Sequence, residues 1–197
     1  MAAKSLDTLA RVQVTTAQAW RDWLAAHHGQ TGSVWLVTFK KHCGDRHVPY
    51  DDAVDEAIAH GWIDGVPRKL DADRSMTLMA PRRSGSAWSR INKARVERLT
   101  QQGRMHAVGL AVVAQAQQDG SWTFLDDVED LIQPDDLKAA LARHPGAADA
   151  FGGFPRWSQR AILEWIKTAK RPDTRARRVA ETAIKAAQGL RANQGRR

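Results

Sequence analysis

Strand-type segments occur only in the first half of the chain, and this segregation constrains the fold more than any other feature. The run Val34–Phe39 is rich in β-branched and aromatic residues, as strands usually are. Shorter extended runs lie at residues 62–65, 67–70 and 76–79. From Ser86 onward the apolar residues recur at helical spacing. Because the strands precede the helices instead of alternating with them, we predict an α+β fold with a small antiparallel sheet flanked by helices, followed by a helical C-terminal part.

A turn at residues 119–121 suggests a boundary between two domains. We predict an α+β module over residues 1–120 and a helical region over residues 121–197 that ends in a basic helix. A chain of 197 residues is long enough to bury a core without disulfides. Residues that can cap the N-terminus of a helix precede several apolar patterns. The predicted caps are Thr16, Ser86 or Ser89, Ser158 and Thr174.

The net charge of +8 is concentrated near the C-terminus. From Lys167 onward there are ten basic residues and two acidic ones, so the preceding part is close to neutral. Such an asymmetry is typical of a basic tail or face for an anionic partner, and a solvated helix is the alternative. If the partner is nucleic acid, we predict these phosphate contacts: Lys170, Arg171, Arg175, Arg177, Arg178 and Lys185.

The sequence favours a cytoplasmic protein without membrane insertion. The N-terminal residues contain no apolar run of the length that a signal peptide needs. The longest apolar-looking stretch, residues 107–116, has about half the length of a membrane span. Cys43 is the only cysteine, so no intrachain disulfide forms, which fits a reducing compartment.

Residues 80–93 form the densest group of polar and aromatic side chains. Two arginines and three serines lie just before and at a predicted helix N-terminus, where backbone N–H groups and the helix dipole attract anions. Arginines bind carboxylate or phosphate through paired hydrogen bonds, and an indole stacks on a ring. The predicted anion-binding cleft comprises Trp62, Asp64, Arg82, Arg83, Ser86, Trp88, Ser89 and Asn92.

An alternative interpretation gives the same residues structural roles. The serines then cap the helix, Trp88 belongs to the core, and the two arginines form ion pairs with Asp71 or Asp73. Asp64 is the carboxylate to consider as an acid or base, although an aspartate at this position also suits a turn.

Neither a metal site nor a catalytic site is predicted. His42, Cys43 and His47 are close in sequence, but no second His/Cys pair completes a four-ligand zinc site. The chain lacks the Gly-x-Ser-x-Gly, Walker, Gly-x-Gly-x-x-Gly and His-Glu-x-x-His motifs. We therefore predict no cofactor and favour a binding protein. An enzyme acting on a small anionic substrate in the same cleft remains an alternative, because catalytic groups assemble in space.

Several short motifs together resemble the YdeI/OmpD-associated family. They lie at residues 60–65, 81–83, 86–89, 92–93, 103–105, 165–170, 174–175 and 177–178. The resemblance spans roughly residues 20–190. It implies a bacterial protein involved in bacteriocin protection or resistance to peptide stress, and it supplies no catalytic residue or cofactor. We therefore expect a non-enzymatic binding protein in stress or antimicrobial-peptide resistance, with a small anion or another protein as its partner.

Overall fold

The structure, a computed structural model, describes residues 6–193, which form two compact units. The N-terminal unit ends at Thr123 and the C-terminal unit begins at Phe124. Within the described residues, the strands lie in the N-terminal unit and the C-terminal unit contains helices without strands. The predicted α+β class is confirmed. Arg196 and Arg197, which contribute to the predicted basic excess, lie outside the described residues.

The N-terminal unit is built on a four-stranded sheet with the order β1-β2-β4-β3. Its three longer strands pair antiparallel, as predicted, whereas β1 adds to β2 in parallel. The shorter runs predicted at residues 62–65 and 67–70 form one strand, whose pairing register shifts between Asp64 and Pro67. The strands are β1 Arg11–Gln13, β2 Val34–Phe39, β3 Trp62–Lys69 and β4 Arg74–Pro81.

Four α-helices accompany this sheet in residues 6–123. They are α1 Ala17–His27, α2 Tyr50–Ala59, α3 Arg90–Gln101 and α4 Ala107–Gln118. The predicted caps Thr16 and Ser89 are confirmed, because their side chains accept hydrogen bonds from the backbone N–H groups of Ala19 and Asn92. One core cluster joins α1 and α2 to the sheet through Trp20, Leu24, Ala57, Leu36, Trp62 and Met79. A second joins α2, α3 and α4 through Ile58, Trp88, Leu99 and Val113.

Two buried carboxylates on α2 connect the surrounding helices. Glu56 is 1% exposed and accepts hydrogen bonds from Arg21 of α1 and from Arg104, which follows α3. Burial raises the pKa of Glu56, but these hydrogen bonds outweigh it, so the pKa of the carboxyl is lowered. Asp55 binds Arg95 and Arg98 of α3. The acidic pair therefore fixes α1 and α3 against α2.

Over residues 124–193, the C-terminal unit folds into five helices. They are α5 Asp126–Glu129, α6 Asp135–Ala142, α7 Ala147–Gly152, α8 Arg156–Lys167 and α9 Pro172–Ala187. The caps predicted at Ser158 and Thr174 are wrong: Ser158 is buried inside α8 and Thr174 lies inside α9. Both helices begin earlier because prolines, whose fixed φ suits a helix start, stand at residues 155 and 172. In residues 6–193, no helix has the length and apolar character that crossing a membrane requires.

Candidate functional site

A cavity of about 240 Å³ lies in the N-terminal unit between α4 and the segment that joins β4 to α3. The joining segment contributes mainly polar groups and Trp88, whereas α4 contributes a mainly apolar wall. The lining residues are Arg82, Arg83, Ser84, Gly85, Trp88, Val108, Ala111, Val112, Gln115, Ala116, Asp119 and Ser121. We refer to this space as the Arg82 cavity.

Arg82 is the most unusual residue of the cavity wall. It follows the end of β4, and its backbone N–H donates to the carbonyl of Gly61 at 2.9 Å. The residue is 7% exposed, with its guanidinium carbon 3.6 Å from the ring centroid of Trp88. Its Nη2 donates to the carbonyl of Ala87 at 2.7 Å. Within residues 6–193, Nε and Nη1 are buried without a hydrogen-bond partner.

The charge of Arg82 is only weakly compensated. Burial lowers the pKa of its guanidinium to about 10, and the negative charge of Asp64 acts in the opposite direction. Asp64 is itself engaged, because it accepts a hydrogen bond from the hydroxyl of Tyr50 at 2.6 Å. Burial and this hydrogen bond raise the pKa of Tyr50 to about 12. The cavity wall thus includes a buried cation, two of whose nitrogen donors have no partner among the residues that the structure describes.

Trp88 forms the aromatic part of the cavity wall. It is 1% exposed, and its ring lies 5.1 Å from that of Trp122 at an interplanar angle of 50°. Its backbone N–H donates to the carbonyl of Ser121 at 3.3 Å. The indole N–H has no hydrogen-bond partner in the part of the chain that the structure describes. Trp88 therefore offers both a flat surface to Arg82 and a buried donor.

Asp119 holds the loop at the rim of the cavity. Its carboxylate accepts hydrogen bonds from the Ser84 hydroxyl at 2.8 Å, the Gly85 N–H at 3.1 Å and the Ser121 N–H at 2.9 Å. Ser121, together with Ser84 and Gly85, holds the pKa of Asp119 well below its usual range. Gly85 adopts a φ of +74°, a backbone conformation that is strained in residues with a side chain. The loop is therefore fixed by donors that converge on one carboxylate.

The structure brings three of the eight predicted cleft residues to the cavity. Arg82, Arg83 and Trp88 line it. Trp62 lies in the core cluster of α1, α2 and the sheet, and Asp64 lies on β3 beside Tyr50. The remaining three are placed outside the lining: Ser86 in the turn that Arg83 closes, Ser89 as the cap of α3, and Asn92 as the donor to that cap.

The structural alternative is correct for some residues and wrong for others. Trp88 is buried in a core cluster and Ser89 caps α3, as that alternative predicts. The predicted arginine pairs are wrong, because Asp71 binds Arg74 and Asp73 binds His42. Arg82 is left without either aspartate as a partner.

Sequence reasoning missed the apolar wall of the cavity, which α4 provides. This helix packs closely on the end of α2, since a Cβ at Gly109 would lie 2.2 Å from the carbonyl oxygen of Ala59. At Gly61 a Cβ would lie 2.9 Å from Val112. A glycine inside an otherwise helical pattern is the one local signal of such a close approach.

Three of the six predicted nucleic-acid contacts are engaged within the C-terminal unit. Arg175 binds both carboxylate oxygens of Asp136, at 2.7 and 3.0 Å. Arg178 lies over the ring of Trp165 and donates to its carbonyl, and Lys185 binds Glu181 at 2.7 Å. The other three are exposed: Lys170, Arg171 and Arg177.

Comparison with known proteins shows that two parts of the chain match different protein families. Residues 12–112 match a domain of unknown function (DUF8412), and residues 130–189 match the family described as bacteriocin-protection, YdeI or OmpD-associated. No curated protein and no solved structure matches the chain significantly. The predicted family is confirmed by the second match, and the first covers half of the chain, including the motifs around residues 60–65 and 81–93. The chain therefore belongs to the family of this domain of unknown function, and its C-terminal unit carries the bacteriocin-protection, YdeI or OmpD-associated domain.

Proposed function

We propose that the N-terminal unit binds a small organic anion in the Arg82 cavity. The observation that carries this proposal is the guanidinium of Arg82, which is buried at the cavity wall although two of its nitrogens have no partner within residues 6–193. A buried donor without a partner costs about 1–3 kcal/mol, and more when it is charged. A carboxylate or phosphate that accepts from Nε and Nη1 would remove this cost through charge-assisted hydrogen bonds.

The walls of the cavity favour an anion with an apolar body. Val108, Ala111, Val112 and Ala116 of α4 face the cavity opposite the polar loop. Small-molecule sites typically combine apolar walls with a few polar groups that orient the ligand. A volume of about 240 Å³ suits a small aromatic or branched aliphatic acid. We therefore expect benzoate to bind more tightly than acetate or inorganic phosphate.

The family context suggests a biological role for such binding. Because the C-terminal unit carries a domain described as bacteriocin-protection, we propose that the chain acts in protection against antimicrobial peptides. We further propose that it acts in the cytoplasm as a non-enzymatic binding protein. The nucleic-acid alternative has less support, since Arg175, Arg178 and Lys185 already have partners.

Isothermal titration calorimetry with benzoate, acetate and phosphate tests the proposal. We expect one benzoate per chain, and an affinity that falls about 10- to 100-fold in Arg82→Met, as the loss of a charged hydrogen bond of about 1.5–3 kcal/mol requires. The matched control is Arg177→Met, which removes an exposed guanidinium that does not line the cavity. Benzoate binding that is equal in the two variants, or absent from the unmodified chain, would exclude the Arg82 cavity as the anion site.

A further inference from the structure

Imidazole, thiol and carboxylate groups meet at the end of the sheet where β2 stops and β4 starts. Phe39, the last residue of β2, pairs with Arg74, the first residue of β4. The chain segments just beyond these two residues are therefore neighbours. His42 and Cys43 follow β2, and Asp73 directly precedes β4. None of these residues belongs to the Arg82 cavity.

Backbone hydrogen bonds fix both segments. The N–H of Lys40 donates to the carbonyl of Asp73 at 2.7 Å, and the N–H of Cys43 donates to the carbonyl of Lys40 at 2.9 Å. On the other side, the Asp71 carboxylate accepts from the N–H groups of Asp73 at 3.0 Å and Arg74 at 2.7 Å. The main chain that carries the three side chains is thus held in place before any ligand binds.

The three donor atoms are close enough to share one ion. His42 Nε2 lies 3.0 Å from Asp73 Oδ1, and Cys43 Sγ lies 3.7 Å from the carbonyl oxygen of Asp73. One ligand atom from each side chain lies within 4.8 Å of the others. Ligands of a tetrahedral zinc ion are separated by about 3.5 Å, as Zn–S and Zn–N lengths of about 2.3 and 2.0 Å require. The side chains of His42 and Asp73 are 59% and 60% exposed, so they can rotate toward an ion.

We propose that His42, Cys43 and Asp73 form a three-ligand site for a divalent transition-metal ion of the zinc type. Nitrogen, sulfur and carboxylate donors suit Zn²⁺ or Co²⁺, whereas Mg²⁺ and Ca²⁺ prefer oxygen ligands throughout. Three protein ligands leave the fourth position to water. Asp73, which sequence spacing alone does not connect to His42 and Cys43, completes the set.

Metal binding at this site is coupled to loss of one proton. The S–H bond of Cys43 breaks, its proton passes to the solvent, and the thiolate sulfur forms a bond to the ion without any change in oxidation state. The ion also replaces the hydrogen bond that His42 donates to Asp73. The proton on Nε2 of His42 exchanges through the solvent to Nδ1, so the imidazole stays neutral and Nε2 becomes free to bind the ion. His47 stays outside the ligand set, because the donor atoms that lie within 4.8 Å of one another come from His42, Cys43 and Asp73.

Titration of the full-length, untagged and reduced chain with Co²⁺ tests the site. We expect one ion per chain, a near-ultraviolet charge-transfer band from thiolate to cobalt, release of about one proton near neutral pH, and displacement of Co²⁺ by Zn²⁺. Absence of the charge-transfer band at saturating Co²⁺ would overturn the proposal.

Four variants separate a three-ligand site from adventitious binding to the thiol. Cys43→Ser should abolish the band, and His42→Gln and Asp73→Asn should each weaken Co²⁺ binding more than about tenfold, since even outer-shell partners contribute about 10- to 100-fold. His47→Gln is the matched control and should keep the affinity of the unmodified chain. A band that persists in Cys43→Ser, or unchanged affinity in both His42→Gln and Asp73→Asn, would refute the three-ligand site.

Discussion

The stability of Arg82→Met distinguishes a binding role of Arg82 from a purely structural one. Methionine keeps an apolar chain of similar length but removes the hydrogen bond to Ala87 and the stacking on Trp88. These losses cost about 1.5–3 kcal/mol for the charged hydrogen bond and about 0.5–2 kcal/mol for the cation–π contact. The substitution also removes two buried nitrogen donors that lack partners within the described residues, each of which costs about 1–3 kcal/mol.

The opposing contributions nearly cancel, so the free energy of unfolding should change by less than about 2 kcal/mol. Urea unfolding followed by tryptophan fluorescence measures this change. Trp157→Phe and Trp165→Phe in the background confine the signal to the N-terminal unit, because the other six tryptophans precede Phe124. This arrangement avoids mixing two transitions if the units unfold separately.

The stabilisation of the folded protein by benzoate is the second measurement of this test. Benzoate at 100 times its Kd should stabilise the unmodified chain by about 2.7 kcal/mol, and at that same concentration it should stabilise Arg82→Met far less. A loss of about 3–5 kcal/mol in the ligand-free variant would instead be typical of a buried charge pair that has lost one partner. That result, or equal stabilisation of both proteins by benzoate, would refute the reasoning.

Two further predictions concern the packing and the pH dependence of the N-terminal unit. Gly109→Ala should lower the free energy of unfolding by about 1–3 kcal/mol, because its Cβ would overlap the Ala59 carbonyl. The control in the same urea assay is Gly29→Ala, whose added Cβ meets no atom within 4 Å. Similar losses of stability in the two variants would contradict the close packing of α4 on α2. Burial, helped by the charge of His106, lowers the pKa of His60, so the unfolded chain binds this proton more readily and stability should fall as pH drops below about 6.5. Urea midpoints from pH 7.5 to 5 check this, and a fall of equal size in His60→Gln would assign it to other groups.

Elements governed by local pattern were predictable from the sequence. Val34–Phe39 forms a strand with the predicted bounds, because β-branched and aromatic residues favour extended backbone. Ser89 caps α3, because a serine before a helical pattern can accept from the first free N–H groups. Ser158 and Thr174 were mispredicted because prolines nearby start their helices earlier.

The sequence by itself determined the α+β class, most helices and strands, and the presence of two arginines and a tryptophan before α3, since these follow from residues close in the chain. Only the tertiary structure decided that α4 forms the opposite wall of the Arg82 cavity and that, within residues 6–193, Arg82 has no carboxylate bound to it. It also decided that Asp73 meets His42, through the antiparallel pairing of β2 with β4. The physical reason is that contacts between distant segments depend on how whole elements pack, which local propensity and spacing do not encode.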